Sequence, residues 1–310
     1  ALVLIYNRKW IRGWQRFRLL ITIGQSLSAS LMTILLFTIS LLLISIMAGL
    51  LGSLTGLGGG VVLIPMLTLL FKVDIHYAIG TSLISVIATS SGAASAYVKE
   101  GISNIRLGMF LELATTFGAI TGAFLATFIS TSFIAILFGF ILVFSSIVSL
   151  LKHEDHLVTG EGSRLARVLK LRGSYPTGDD QQRNYTVKNV VGGFAMMNIA
   201  GIISGLLGIG SGALKVIAMD HIMKVPFKVS TTTSNFMIGV TAAASAGIYL
   251  RRGYIDPGLS MPVVAGVLIG AFFGTRILFT AKTKTLKILF AIVILFLAIE
   301  MIYNGIQHRM

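Results

Sequence analysis

The fold is decided by the stretch GSLTGLGGG, residues 52–60, which interrupts an otherwise apolar part of the chain. A second glycine cluster, GLLGIGSG at residues 205–212, aligns with it at an offset of 152 residues. The apolar segments that follow, residues 61–71 and 213–223, would each rise about 16 Å as a helix, about half of a bilayer core of about 30 Å. We therefore predict that each cluster breaks a membrane helix and that each following segment is a half-helix, which enters the membrane and turns back.

The same offset relates much of the remaining sequence, and the two copies align without a gap. Thr81 and Ser82, for example, align with Thr233 and Ser234. An internally duplicated apolar chain is typical of membrane transporters, which hold the substrate where the two halves meet. The sequence divides into a basic interfacial N-terminal segment (1–30), a first transmembrane repeat (31–151), a polar connector on the inside (152–188) and a second transmembrane repeat (189–310).

Composition supports a membrane protein, with 55% hydrophobic and 12% charged residues, against about 25% charged in an average soluble domain. A helix that spans the membrane needs about 20 apolar residues. Eight apolar runs are close to this length: 31–51, 75–98, 107–129, 132–151, 189–209, 229–250, 258–281 and 285–303. An open sheet edge in lipid would leave backbone groups unpaired. The predicted fold class is therefore an all-α integral membrane protein, with two pseudo-symmetric repeats of four transmembrane helices, each with a Gly-interrupted re-entrant half-helix.

The net charge of +14 is interpreted as a topology signal rather than a nucleic-acid surface, because Lys and Arg lie mostly in loops. With four crossings per half and the N-terminus inside, inside segments hold 17 Lys and Arg and outside segments hold 6; if the half-helices also crossed, the counts would be 9 and 14. The positive-inside rule then predicts four crossings per half, cytoplasmic termini and halves that point the same way. Lys282, Lys284 and Lys287 fit poorly, because this arrangement places them outside.

Cofactor and enzyme chemistry are not expected. The chain has no cysteine and its five histidines are scattered, so no metal-ligand spacing is present. No nucleophile, base and orienting group can be assembled from its residues. The partners that we expect are a small anionic solute and the lipid bilayer, without nucleic acid.

The residues predicted to bind substrate surround the glycine clusters. A half-helix start presents free N–H groups and a positive dipole end, which suit an anion, and neighbouring hydroxyl groups donate hydrogen bonds to oxyanions. Small residues that only permit tight helix packing are the alternative, although two matched clusters beside short segments favour a site. The candidates are Gly58, Gly59, Gly60, Thr81, Ser82, Gly210, Ser211, Gly212, Lys215, Thr233, Ser234, Asn235 and Arg276.

Ionisable residues at membrane depth are costly and mark a pathway or a pair. Lys215 and Arg276 occupy positions that are apolar in the first half, and we predict that one of them contacts the anion. Alternatively, Lys215 pairs with Asp220 and Arg276 extends to the interface. Asp220 and His221 could pass a proton, but we expect them to lie at a rim in water. Glu112 is a further ionisable residue at depth.

These motifs resemble the TauE/SafE family of anion permeases. The resemblance covers about residues 31–303 and rests on GLGGG before a half-helix with Pro65, on HYAIGTS at 76–82, on Tyr97 to Gly101 and on the small-residue helix through Gly118 and Gly122. It implies a secondary transporter of the bacterial inner membrane, which exports a sulfur-containing oxyanion such as sulfite or a sulfoacetate-like sulfonate. The second half departs from the pattern, because a serine replaces one glycine and no proline follows.

Alternatives remain at this point. An anion channel, or an uptake permease for another small anion, is compatible with the same residues. A receptor or scaffold that acts through residues 152–188 is a third class. The exact substrate, the direction of transport, the coupling ion, the role of the connector and the oligomeric state, including a homodimer, stay open.

Overall fold

A computed structural model describes residues 32–52, 59–99, 102–150, 163–177, 181–280 and 283–307; the predicted basic segment 1–30 lies outside them. The helices are α1 (Met32–Gly52), α2 (Gly60–Pro65), α3 (Ile75–Lys99), α4 (Ile105–Ala126), α5 (Thr131–Leu150), α6 (Arg164–Val168), α7 (Val190–Leu207), α8 (Gly212–Ile217), α9 (Phe227–Arg251), α10 (Pro257–Thr280) and α11 (Thr283–Ile306). Between α6 and α7 lies an antiparallel hairpin, β1 (Gly173–Thr177) and β2 (Gln181–Tyr185), with Gly173 opposite Tyr185.

The helices form a multi-pass membrane protein. Within the described residues, α1, α4 and α7 are long and apolar enough to cross a bilayer, and shorter apolar helical stretches lie at Gly60–Leu70 and in α5, α10 and α11. Large apolar side chains such as Leu35, Phe117 and Phe296 are exposed, as lipid-facing side chains are. The mostly helical chain confirms the predicted helical membrane protein, to which the structure adds the hairpin.

Glycines bring α4 and α7 into backbone contact. A Cβ on Gly122 would lie 2.0 Å from the carbonyl oxygen of Ile202, and a Cβ on Gly205 would lie 2.1 Å from the carbonyl oxygen of Ala119. A larger side chain at either glycine would force the helices apart. Lipid is as apolar as leucine, so membrane helices gain their association energy from such close packing.

The contact between α4 and α7 recurs between α1 and α10. In the α4–α7 pair, a Cβ on Gly118 would lie 2.2 Å from the carbonyl oxygen of Asn198. In the α1–α10 pair, a Cβ on Gly270 would lie 2.0 Å from the carbonyl oxygen of Ile46. The residues of these two contacts are related by the sequence offset of 152. Helix starts repeat at the same offset: Gly60 and Gly212, Ile75 and Phe227, Ile105 and Pro257, Thr131 and Thr283.

Each short helix after a glycine cluster continues into a π-helical turn. α2 is continued by Met66–Leu70, and α8 is continued by Ala218–Ile222. Before α8, Gly208 ends α7 in the left-handed conformation (φ 66°), and its N–H donates to the carbonyl oxygen of Ser204 at 2.8 Å. Glycine adopts this conformation without the steric cost of a side chain, so the second cluster reverses the chain at this point.

The short helices carry the chain across the bundle. The N–H of Lys188, just before α7, donates to the carbonyl oxygen of Met223, just after the turn behind α8, at 3.0 Å. In the first half, the ring of Phe71 behind α2 lies 5.5 Å from the ring of Phe37 near the start of α1. Each short segment therefore ends on the face where the preceding long helix began. The prediction was that each half-helix enters the membrane after its cluster and turns back to the same side. This prediction is wrong, because the cluster begins inside the bundle and the following helix of about 16 Å continues to the opposite face, on which the preceding long helix began.

As a consequence, the two halves run in opposite directions. His76 in the first turn of α3 stacks on Tyr254, which follows α9, with ring centroids 4.9 Å apart. Ser146 near the end of α5 donates to the carbonyl oxygen of Ala291 in the first part of α11 at 3.1 Å. Both helix pairs are antiparallel. The prediction of four crossings per half and of halves that point the same way is wrong, because equivalent helices of the two halves run in opposite directions, which requires an odd number of crossings per half.

The bundle has two faces, which we name by their contents. The terminal face carries residues 71–74, 127–130 and 252–256 with the end of α11. The connector face carries residues 102–104, 163–177, 181–189 and 223–226. The connector, predicted as a polar loop, forms α6 and the hairpin. Asn104 at the start of α4 donates from Nδ2 to the Tyr185 hydroxyl at 2.7 Å and to the Leu171 carbonyl oxygen at 3.2 Å. Burial raises the pKa of Tyr185 to about 12.

Candidate functional site

The two glycine clusters meet at Ser82 of α3. The Ser82 hydroxyl donates to the carbonyl oxygen of Gly208, in the second cluster, at 3.0 Å. A Cβ on Gly60, the first residue of α2, would lie 2.4 Å from Ser82 Oγ and 3.3 Å from that carbonyl oxygen. Ser82 is fully buried and lies seven residues, about 10 Å, into α3. The structure thus brings residues of both predicted clusters to one point inside the bundle.

Ser211 is the second buried hydroxyl at this junction. It precedes α8 in the left-handed conformation (φ 46°), which is uncommon for a residue other than glycine. Ser211 is buried, and its Oγ has no hydrogen-bond partner among the residues that the structure describes. A strained backbone together with an unsatisfied hydroxyl costs stability and is concentrated at functional sites. Ser211 therefore keeps a buried hydroxyl donor that no described residue uses.

The second-half counterpart of Ser82 faces its own cluster. Ser234 is buried and donates to the carbonyl oxygen of Gly212, the first residue of α8, at 3.2 Å. A Cβ on Gly210, which has φ 70°, would lie 2.6 Å from the side chain of Ile238. In the first cluster, a Cβ on Gly59 would lie 3.1 Å from the side chain of Val267. Glycines are needed here because the loops lie directly against neighbouring helices.

Thr81, Thr233 and Asn235 do not join this junction. The hydroxyl oxygen of Thr81 lies 3.3 Å from that of Ser260 in α10, and the Thr233 oxygen accepts the N–H of Asn104 at 3.0 Å. Each threonine therefore binds the start of a helix in the other half. Asn235 is partly exposed and has no side-chain hydrogen bond to the described residues.

Lys215 of α8 is fully buried in a polar cluster with α4 and α9. Its ammonium group donates to the hydroxyl of Thr241 and lies 4.0 Å from Oε2 of Glu112. The Thr241 oxygen lies 2.6 Å from Oε1 of Glu112, to which Thr116 also donates at 3.3 Å. A buried charge without a partner would cost several kcal/mol, so the two opposite charges stabilise each other here.

This pairing corrects part of the charge prediction. Lys215 pairs with Glu112 rather than with Asp220, and Asp220 is 1% exposed, so the expected rim in water is wrong for Asp220. His221, the next residue, is exposed. Gly58 and the side chain of Arg276 lie outside the described part of the structure. The position of Arg276 relative to the junction stays a prediction.

Sequence reasoning did not select Thr241 or Tyr249. Tyr249 of α9 is buried, and its hydroxyl donates to the carbonyl oxygen of Gly205 at the end of α7, at 3.2 Å. Neither contact can be found from spacing, because each joins helices that are distant in sequence. The signal that was available is charge balance, since a buried lysine requires an acid at similar depth, and Glu112 is the acid within α4.

On the terminal face, Asp74 closes the loop between α2 and α3. Its Oδ1 accepts the N–H of His76 at 2.8 Å and lies 3.2 Å from Nδ1 of the same residue. The hydrogen bond from the His76 side chain holds the pKa of Asp74 below its usual value. The other ring nitrogen of His76 lies 3.2 Å from the carbonyl oxygen of Ala126, so the loop is tied to the end of α4.

A multi-pass bundle with interrupted helices and a buried junction between its two halves defines a membrane transporter. The particular family follows from comparison with known proteins: the chain belongs to the sulfite exporter TauE/SafE family, whose sequence model matches residues 41–301. Similar proteins include two probable membrane transporter proteins of Bacillus subtilis. YunE is 28% identical over 86% of this chain and 97% of its own length, and YdhB is 28% identical over 76% and 88%. A probable membrane transporter protein of Xylella fastidiosa is 25% identical over 86% of this chain and 97% of its own length. No solved structure matches the chain.

Proposed function

We propose that the protein is a secondary transporter that exports a small sulfur-containing oxyanion, such as sulfite or a sulfoacetate-like sulfonate, across the bacterial inner membrane. The observation that carries the proposal is the buried contact of Gly60, Ser82 and Gly208, where the two halves meet. The family description, sulfite exporter, supports the substrate class and the direction.

In this proposal the anion binds where α2 and α8 begin. The Ser211 hydroxyl, which is buried and unpartnered among the described residues, donates to the oxyanion, and Ser82 exchanges its bond to Gly208 for one to the ligand. The backbone N–H groups at the two helix starts add donors. Lys215, or Arg276 from α10, supplies positive charge.

We infer that access alternates by a movement of two inverted repeats of five passes, related by an axis in the membrane plane. The α4–α7 and α1–α10 crossings are each held by backbone contact at glycines, such as Gly122 and Gly270, and move as units. The junction between the clusters lies between these units, so a tilt of one unit against the other opens the site to one side at a time.

Charge favours a definite orientation of this arrangement. With ten passes, the sequence segments on the side of the termini hold 9 Lys and Arg and the segments on the side of the connector hold 14. Ten passes assign the five lysines that follow α8 or surround the start of α11 to the side of the connector. The positive-inside rule therefore places the connector in the cytoplasm and the two termini outside, the reverse of the orientation expected from eight passes.

Transport by purified protein in proteoliposomes tests the function. Counterflow of labelled sulfite, sulfate, thiosulfate, taurine and sulfoacetate is measured for the wild type, for Ser82→Ala and for Ser91→Ala. Ser91 is a matched control on α3, because it is exposed and its hydroxyl donates to the carbonyl oxygen of Ile87 in its own helix. We expect Ser82→Ala to slow counterflow by about tenfold, the equivalent of one hydrogen bond to an anion. Equal rates for both variants would contradict the site, and flux without saturation or counterflow would indicate a channel.

A further inference from the structure

We propose that Glu112 is a proton-binding site that couples anion movement to proton movement, so that one proton crosses with one monoanion. The proposal rests on the proposed function and adds the coupling ion. It starts from the geometry of the Glu112 carboxylate, whose two oxygens have unequal surroundings. Oε1 lies within hydrogen-bond distance of the Thr241 and Thr116 hydroxyls. Oε2 is buried and has no hydrogen-bond partner among the described residues; it faces the Lys215 ammonium group at 4.0 Å.

A distance of 4.0 Å joins the two charges without a direct hydrogen bond, which needs about 2.7–3.2 Å. Oε2 therefore keeps an acceptor position that a proton can occupy without breaking an existing hydrogen bond. The Lys215 ammonium group is likewise only partly satisfied, because among the described residues it donates to one hydroxyl, that of Thr241. The Glu112 carboxylate and the Lys215 ammonium group can therefore each bind a new ligand in place of the other at low cost.

Few other charges surround the pair. α7 has no ionisable residue, and on α9 the charged residues, Lys228 and Arg251, lie at its two ends. On α4 the other charged residue is Arg106, at its start. Asp220 and His221 lie beyond Lys215 in the turn that continues α8. Glu112 is thus the acid within 4 Å of Lys215 in the described residues.

Charge balance at this depth dictates the coupling. In the empty protein, the positive Lys215 and the negative Glu112 sum to zero. A monoanion that binds Lys215 leaves the Glu112 carboxylate without a counter-charge, and such a buried charge costs several kcal/mol. The carboxylate then takes one proton from the aqueous side to which the site is open, and an O–H bond forms at Oε2. When the anion leaves, the proton leaves as well, and Glu112 pairs with Lys215 again. Both end states are neutral, so the cycle moves one anion and one proton together, and export is then driven by the outward gradient of the anion against the inward gradient of protons.

The pair joins the two halves, with Glu112 from the first and Lys215 from the second, and its symmetry-related counterpart is missing. At the offset of 152 residues, Lys215, Thr241 and Glu112 correspond to Leu63, Thr89 and Val264. The related positions Leu63 and Val264 therefore have neither the base nor the acid. Because the described residues contain one such pair, the stoichiometry is one proton per cycle.

Proteoliposomes test the proposal with labelled methanesulfonate, a monoanion whose sulfonate group does not titrate in the working pH range. Counterflow without gradients reports the transporter, and accumulation driven by a pH gradient reports the coupling. We expect the wild type to show both, and Glu112→Gln to keep counterflow but to lose gradient-driven accumulation by about tenfold or more. Glu300→Gln is the matched control, because Glu300 lies in α11 with Asn304 of its own helix as partner, and should behave as wild type.

The outcomes separate the two ideas. Wild-type counterflow that is insensitive to the pH gradient, or Glu112→Gln protein that still accumulates the probe, overturns the coupling and leaves the transporter standing. No counterflow by the wild type with any sulfur oxyanion contradicts the proposed function itself. If Glu112→Gln does not fold, Glu112→Asp keeps a shorter carboxyl group; we expect coupled transport with a displaced pH midpoint, and an unchanged pH profile would overturn the proposal.

Discussion

Replacing Gly205 by alanine tests whether backbone contact between α4 and α7 holds the bundle together. The added Cβ would lie 2.1 Å from the carbonyl oxygen of Ala119 and 2.7 Å from the backbone nitrogen of Ala123. Ordinary contact begins at 3.4 Å, so the helices must separate by 3.4 − 2.1 = 1.3 Å along that line. Both opposing atoms belong to the backbone and cannot rotate away. We expect a loss of about 1–3 kcal/mol, the usual cost of overpacking.

The measurement is thermal unfolding of purified protein in detergent, with Gly247→Ala as control. Gly247 lies within α9, and a Cβ there would meet nothing within 4 Å. Alanine improves helix stability by about 0.5–1 kcal/mol where space allows, so this variant should unfold at or above the wild-type temperature. The contact argument is refuted if Gly205→Ala is as stable as Gly247→Ala.

Three further predictions follow from single features. The chain has no cysteine, so Arg183→Cys in the hairpin and Arg252→Cys after α9 can be labelled with an impermeant maleimide; ten passes predict labelling from opposite sides, whereas labelling from one side would restore eight. Ser211→Ala removes an unsatisfied buried hydroxyl and should raise the free energy of unfolding by about 1 kcal/mol while it slows counterflow; unchanged counterflow would exclude Ser211 from the site. The pKa of Tyr185 is raised to about 12, so the stability from its neutral form is present below pH 10.0 and lost as the pH rises through about 12. Tyr185→Phe should be about 1 kcal/mol less stable at neutral pH, through its lost bond to Asn104, but should lose less stability in alkali; parallel unfolding curves would contradict this.

Helix breaks and their repetition could be predicted from the sequence, because glycine clusters act locally. α1 ends at Gly52 and α7 ends before Gly208, because glycine frees the backbone to leave the helical conformation whatever surrounds it. Helix starts at Gly60 and Gly212 then follow the offset of the duplication. Local rules of this kind need no knowledge of the neighbouring helices.

The number of passes could not be predicted by the same means. Helical rise shows that residues 61–71 are too short for a full crossing, but not that the preceding cluster lies inside the bundle. The misfit of Lys282, Lys284 and Lys287 in the eight-pass count was the signal for ten passes. If the short helices cross, the charge count assigns these lysines to the same side as the connector.

The Lys215 pair shows a second limit. Its partners Glu112 and Thr241 lie on two other helices, and their distance depends on how α4, α8 and α9 pack. Charge balance requires an acid near a buried lysine, yet Asp220, closer in sequence, was as good a candidate as Glu112. Packing, and not proximity along the chain, decides between the two.

Because the two halves are inverted, the structure of this conformation predicts the structure of a second one. If each half took the shape now held by its counterpart, the result would be the same bundle open towards the opposite side. Gly59, which is now right-handed with φ −62°, would then become left-handed, and Ser211, with φ 46°, would relax to the right-handed form. Glycine makes the first change at little cost, while the serine stores strain in only one of the two states. The difference between these two residues would bias the resting equilibrium, and a glycine at position 211 would even it out.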